Sequence, residues 1–184
     1  IKGVLEAGDE EADEALAVRR DEGVLASAEA AFAALKAARR KEGAEIRAIL
    51  AEQLDRIGTL AEDAAARALD QLPKFRERIK EQVRLLVESR QGLSEERLAQ
   101  ELALLAVKSD VREEIDRLKV HVRGGAELLA SEEAVGRRLD FLTQEMNREA
   151  NTVCSKSNDV SLTQVGLELK AVIDQMREQV QNVE

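Results

Sequence analysis

A helical rhythm with almost nothing to interrupt it constrains this chain more than any other feature. Leu50, Leu54, Ile57, Ala61, Ala64 and Ala68 recur at steps of three and four, which places them on one stripe of an α-helix. So narrow a stripe is the seam of paired helices. A single proline, Pro73, stands in all 184 residues. It is expected to kink or break the element, because proline has no N–H to donate and its ring crowds the preceding turn. Beyond it, Phe75, Ile79, Val83 and Leu86 resume the period. No stretch alternates with β-branched enrichment as a strand would. The expected fold class is all-α, a long helical hairpin or coiled-coil-like arm followed by a compact C-terminal helical bundle.

Composition narrows this further. Apolar residues make up 44% of the chain but aromatics only 2%, against 35% charged. The core must therefore be thin, built from Leu, Val, Ile and Ala where helices touch. No run approaches the roughly 18 apolar residues of a membrane span, and no signal peptide is visible. The lone Cys154 cannot close an intrachain disulfide, which suits a reducing cytoplasm. The chain opens on Ile1, so a preceding segment is expected to be missing. A net charge of −9 argues on average against a polyanionic partner, since nucleic-acid affinity rests on neutralised phosphates. A carboxylate-rich metal site would nonetheless need such acidity.

Residues 1–23 read as a linker, 24–92 as the helical arm and 93–184 as the C-terminal helical domain. "SRQGL" supplies a glycine near a helix end, Ser94 reads as an N-cap, and Leu93 with Leu98 as a hydrophobic staple. Gly124 and Gly125 cost about 1 kcal/mol each relative to Ala in a helix, so a weak point or turn is expected there. The last helix should open on a capping box of Ser161 and Gln164, with Val160 and Val165 as its staple.

One stretch departs from the Ala, Leu, Glu, Lys and Arg of the rest: "GRRLDFLTQEMNREANTVCSKS", residues 136–157. Wound at helical pitch, Leu139, Leu142, Met146, Ala150 and Val153 form its buried face. Asp140, Gln144, Asn147 and Asn151 form an adjacent stripe bordered by Phe141 and Arg148. Asn is a mediocre helix former, and both Asn and Gln carry fixed donors and acceptors, so the stripe implies specific hydrogen bonding to a neighbouring helix or a ligand. Glu145 and Glu149 lie on the other flank. The preceding helix repeats the spacing with Asp110, Glu114, Arg117 and His121 beside Val111, Ile115, Leu118 and Val122. If the two helices pack antiparallel, both stripes are expected to edge one groove, with carboxylates and an imidazole suited to a divalent metal or to acid–base hydrolysis. Plainer readings remain open: a surface histidine, a Glu114–Arg117 helix pair, and an inter-helix amide network.

These residues resemble a known family. "DVREEIDRLKVHV", "GRRLDFLTQEMNREANTVCSKS" and "LELKAVIDQMREQVQNVE" are similar to the C-terminal signature of the bacterial YicC/YloC family, densely over the last 85 or so residues and more loosely before. The resemblance implies a cytoplasmic, stress-associated endoribonuclease that forms ring-like hexamers around RNA, and an N-terminal α+β region absent here. Asp110, Glu113, Glu114, Asp116, Arg117 and His121 fall on its pattern. So do Arg137, Arg138, Asp140, Gln144, Glu145, Asn147, Arg148, Glu149, Asn151 and Lys156. Gly124-Gly125 and Cys154 depart from it mildly.

The function expected is thus metal-assisted hydrolysis of RNA phosphodiester bonds by a homo-oligomer. Glu114, His121, Asp140, Glu145, Arg148 and Glu149 are the expected catalytic residues. Glu114, His121 and Asp140 would hold Mg²⁺ or Mn²⁺. Arg117, Arg137, Arg138 and Lys156 would meet RNA phosphates, while Gln144, Asn147 and Asn151 would meet sugars or bases. If cleavage is metal-free, His121 would be general base on the 2′-hydroxyl. No small-molecule substrate and no membrane partner are expected. The alternative is a helical oligomerisation module or RNA-binding adaptor without catalysis.

Overall fold

The computed structural model describes residues 14–88, 100, 110–157 and 159–183, all helical apart from short connections. Among the described residues four long helices are defined: α1 (Glu14–Glu88), α2 (Arg112–Ala130), α3 (Gly136–Lys156) and α4 (Val160–Val180). No strand occurs among the described residues, so the all-α expectation holds. Ser94 as N-cap, the Leu93–Leu98 staple and the glycine of "SRQGL" lie outside the described residues.

The chain divides into two units, residues 1–45 and 46–184. In the first, α1 starts at Glu14, within the stretch read as linker. Its Leu16, Leu25, Phe32 and Leu35 are all exposed. In the second, Leu50, Leu54, Ile57, Leu60, Ala61 and Ala64 are buried. They join one core with Ile115 and Leu118 of α2, Leu139, Met146 and Val153 of α3, and Leu169, Ile173 and Met176 of α4. The sequence's apolar stripes are therefore the surfaces that meet, and that burial supplies most of the stability helices of this kind possess.

Pro73 does not end α1, which continues to Glu88. Proline removes one N–H and therefore one bond of the ladder. Turns on either side keep theirs, and Pro73 is exposed, where water can serve the released carbonyl.

Nor does α2 turn at Gly124-Gly125; it runs on to Ala130, and the connection falls at residues 131–135. The reason is packing. A Cβ on Gly125 would lie 2.9 Å from Leu54 Cδ2 and 3.1 Å from Leu142 Cδ2, so the missing side chain lets α2 approach α1 and α3 together. Gly166 does the same for α3 and α4, where a Cβ would fall 2.5 Å from Cys154 Sγ. Gly124 faces open space.

The start of α4 also differs from expectation. Its N-cap is Asp159, whose Oδ1 accepts from Ser161 N at 2.8 Å and Leu162 N at 3.2 Å. Asp159 thus takes the role expected of Ser161, while Gln164 Nε2 donates instead to Glu168 Oε1 at 3.3 Å. Val160 is 87% exposed and staples nothing. At α2, Asp110 accepts from Arg112 N at 3.0 Å and pairs with the Arg112 guanidinium at 2.6 Å. That side-chain bond, more than any other influence, holds the Asp110 carboxyl at about 2, below the ordinary carboxylate value of 3.8.

Two outcomes follow. Gly124→Ala should raise the thermal midpoint, since the open site gains about 0.5–1 kcal/mol of helix propensity. Gly125→Val should lower it, because its methyls meet Leu54 and Leu142; scanning calorimetry of the two variants separates an idle glycine from a packing one. Because the Asp110 carboxyl is depressed on folding, its contribution is complete above about pH 4 and disappears as pH falls through about 2. The stability difference between parent and Asp110→Asn should close over that window in acid titrations of unfolding.

Candidate active site

Helix α3 is the hub of the second unit, with α2 on one flank and α4 on the other. Its contacts run antiparallel to both: Glu114 and Arg117 reach Lys156 and Glu149, while Asp174 and Arg177 reach Asn147 and Asp140. The apolar seam through Leu139, Met146, Ala150 and Val153 is fully buried. It divides the polar residues of α3 into two sets that face different grooves.

The first groove lies between α2 and α3. It is lined by Asp110, Arg112, Glu113, Asp116, Arg117, Val120 and His121 from α2 and its entry, and by Glu145 and Glu149 from α3. Arg117 is its fixed point. Its guanidinium donates to Glu149 Oε1 at 3.3 Å and pairs closely with Glu113 one turn away. Both carboxylates, Glu149 foremost, raise its pKa, so it is a permanent cation. Glu149 is only 4% exposed and serves chiefly to aim Arg117. By contrast, Asp116, His121 and Glu145 make no hydrogen bond or ion pair among the described residues, although all three line the groove. Two carboxyl groups, an imidazole and a fixed cation are thus available to an incoming group.

The second groove lies between α3 and α4, lined by Gln144, Asn147, Arg148, Asn151, Thr152, Ser155 and Arg177. Here the amide stripe is tied into a chain. Gln144 Nε2 donates to Asp140 Oδ2 at 2.8 Å, Asn151 Nδ2 to Asn147 Oδ1 at 2.7 Å, and Asn147 Nδ2 to Asp174 Oδ1 at 2.6 Å. Arg177 Nε stands 3.7 Å from Asp140 Oδ1.

This corrects the expectation of one shared groove. Antiparallel packing of α2 and α3 holds, but the stripe of Asp140, Gln144, Asn147 and Asn151 turns to α4, away from Arg117 and His121. The supposed metal ligands are separated accordingly. Asp140 belongs to the α4 side, His121 lines the α2/α3 groove, and Glu114 is withdrawn into the helix contact. Among the described residues no three His, Cys, Asp or Glu side chains converge as a metal site.

Glu114 is 7% exposed. Its Oε1 accepts from Lys156 Nζ at 2.8 Å, and the same ammonium donates to the Asp110 carbonyl at 3.1 Å. Its Oε2 is buried without a hydrogen-bond partner among the described residues. Lys156, expected on RNA phosphates, thus joins α3 to the entry of α2. Arg137 and Arg138 are exposed on the first turn of α3, the latter 3.7 Å from Glu133. Cys154 is half-buried, and burial raises its thiol pKa. Sequence reading passed over Arg177, Asp174, Thr152 and Ser155; only the apolar stripe of α4, which points its other side toward α3, hinted at Asp174 and Arg177.

Comparison with known proteins agrees with this signature-bearing region. The family profile described as "Endoribonuclease YicC-like, C-terminal" matches residues 64–184. A Haemophilus influenzae protein named "Probable endoribonuclease YicC" is 37% identical over 182 residues, covering 99% of this chain and 61% of its own length. A Clostridioides difficile protein of the same name is 35% identical over 156 residues, 85% of this chain and 53% of that protein. This chain therefore spans just over half the length of these relatives. The profile match covers most of the chain, including all of α2, α3 and α4, and on that ground the chain belongs to the YicC-like endoribonuclease family.

Proposed function

We propose that this chain is the RNA-cutting part of an endoribonuclease, and that the groove between α2 and α3 is where the phosphodiester is cut. The observation that carries this is the company around Arg117: a guanidinium fixed by two carboxylates, beside the uncommitted His121, Asp116 and Glu145. The relatives' printed name supplies the reaction class.

The chain's own groups support cleavage by the neighbouring hydroxyl. An imidazole is the side chain suited to exchange protons near neutral pH. His121 takes the 2′-hydroxyl proton, the 2′-oxygen attacks phosphorus, and the bond to the 5′-oxygen breaks. The departing oxygen takes a proton from water. Arg117 faces the charge that gathers on the non-bridging oxygens. The products are a 2′,3′-cyclic phosphate and a 5′-hydroxyl. The expected trio Glu114, His121 and Asp140 does not fit a directly coordinated Mg²⁺ or Mn²⁺ in this fold, and no step is routed through a metal. The proposal includes action as a homo-oligomer, ring-like as the family resemblance implies; the exposed Leu16, Leu25, Phe32 and Leu35 of α1 support self-association.

A second reading has an observation of its own. Glu114–Lys156 and Asn147–Asp174 are helix-to-helix ties, as a non-catalytic oligomerisation module or RNA-binding adaptor would use its polar residues.

His121→Ala should lower RNA cleavage by about 10²–10⁴-fold with unchanged helical circular dichroism. Parent cleavage should persist in chelator and leave 2′,3′-cyclic ends. Chelator-sensitive cleavage leaving 5′-phosphates would overturn the metal-free route, and unchanged cleavage by His121→Ala would overturn the site. Lys156→Met should destabilise by about 2 kcal/mol, less than for a fully buried pair because Lys156 keeps 28% of its side-chain surface exposed. Adding Glu114→Gln should recover part of that loss in urea unfolding, since it removes the stranded charge.

A further inference from the structure

The chain has three phenylalanines and no tyrosine or tryptophan; Phe32 is 71% exposed on α1, and Phe141 is 63% exposed on α3. The position of Phe141 is specific. Arg137, Phe141, Gln144 and Arg148 follow at steps of four, three and four and are all exposed, so they form the outward ridge of α3. On one side of the ridge lies the carboxylate-rich groove with Glu145; on the other lies the α3/α4 groove.

That second groove is lined differently. Its lining holds two guanidiniums, three amides and two hydroxyls, but no carboxylate, in a chain of net charge −9. Asp140 and Asp174 stand at its border, engaged with Gln144 and Asn147, and Asp140 also offsets Arg177 at 3.7 Å. The Arg148 guanidinium has no hydrogen bond or ion pair among the described residues. Asn151 spends its amide N–H on Asn147, which leaves its Oδ1 as an acceptor without a donor among the described residues.

We infer that this ridge and groove hold unpaired RNA, with a base stacked on Phe141, a phosphate on Arg148 and a ribose 2′-hydroxyl donating to Asn151 Oδ1. The inference rests on RNA being the substrate, as proposed above, and adds that the strand is single at this contact. A phenyl ring on a helix ridge meets the face of a base only when that base is unstacked. Stacking accepts any base, so the site favours single strands over duplexes without reading sequence. The acceptor at Asn151 favours ribose over deoxyribose. Held this way, the strand crosses α3 toward Arg117 and His121. Arg148, expected among the catalytic residues, is then a positioning residue.

The test is fluorescence anisotropy with an end-labelled oligoribonucleotide, on the full chain carrying His121→Ala so that the probe survives. A single strand should bind more tightly than its duplex or its DNA counterpart. Phe141→Ala should weaken single-strand binding roughly tenfold, and Phe141→Trp should restore it. Arg148→Ala should reduce the slope of log affinity against log salt by about 0.7. Asn151→Ala should narrow the gap between RNA and DNA. Equal affinity for duplex, no RNA binding, or unchanged affinity in Phe141→Ala overturns the inference. A change in oligomeric mass on light scattering for Phe141→Ala, with RNA affinity unaltered, would assign the ridge to contact between copies instead. If RNA binds in this pattern while the parent chain shows no cleavage, the binding inference stands and the cleavage reading falls.

Discussion

The polar side chains of α3 are arranged by the burial of one stripe along that helix. Leu139, Met146, Ala150 and Val153 are fully buried, and their spacing allows α3 a single rotational setting about its axis. Turning the helix by one residue would bring hydrophilic groups inward and expose the seam, at several kcal/mol for side chains of this size. With α2 on one flank and α4 on the other, that setting turns Glu145 and Glu149 toward α2, and Gln144, Asn147 and Asn151 toward α4. The partition of chemistry between two grooves follows from hydrophobic packing and needs no separate cause.

Close approach of the helices then decides which polar groups touch. Gly125 admits Leu54 and Leu142, which seats α2 against α3 closely enough for Arg117 to reach Glu149 and for Lys156 to reach Glu114. Gly166 brings α4 near Cys154, and the same interface carries Asn147 to Asp174. A fixed guanidinium is worth more to a developing charge than a wandering one, because its orientation is set before the reaction begins. Glu149 does this work from a buried position. On the proposed reading its part is to hold Arg117.

Helix content and the apolar stripes of the second unit were legible in the sequence, because period and burial are both local properties of a helix. What failed were features that depend on a neighbour. A glycine pair that lowers propensity reads as a turn until the side chain filling the vacated space is known. Asp159 and Ser161 are both good caps, and the choice rests on which enters extended backbone; Asp159 does, at φ −133° and ψ 135°. The grouping of His121 with Asp140 failed for a related reason. A helical wheel gives the angle between two stripes on α3, but not which flank α2 will occupy and which α4. Arg177 was invisible as a site residue because its meaning lies wholly in what it faces.

The net charge, which on the average disfavours a polyanion, changes its meaning once it is distributed. The acidic surplus is not uniform: five carboxylates and two guanidiniums line the α2/α3 groove, and two guanidiniums with no carboxylate line the α3/α4 groove. Screening limits exposed charges to a reach of about 10 Å at moderate salt, and because Asp140 offsets Arg177, the uncompensated cation among the described residues on the far side of α3 is Arg148. On the proposed reading, attraction and chemistry occupy separate faces of one helix. RNA would be gathered at the lining without carboxylates and would cross to a groove whose carboxylates repel it, except at the point where Arg117 is pinned. An acidic chain can then admit phosphate at one position while discouraging it elsewhere, which would make the location of the cut a matter of electrostatic exclusion as much as of binding.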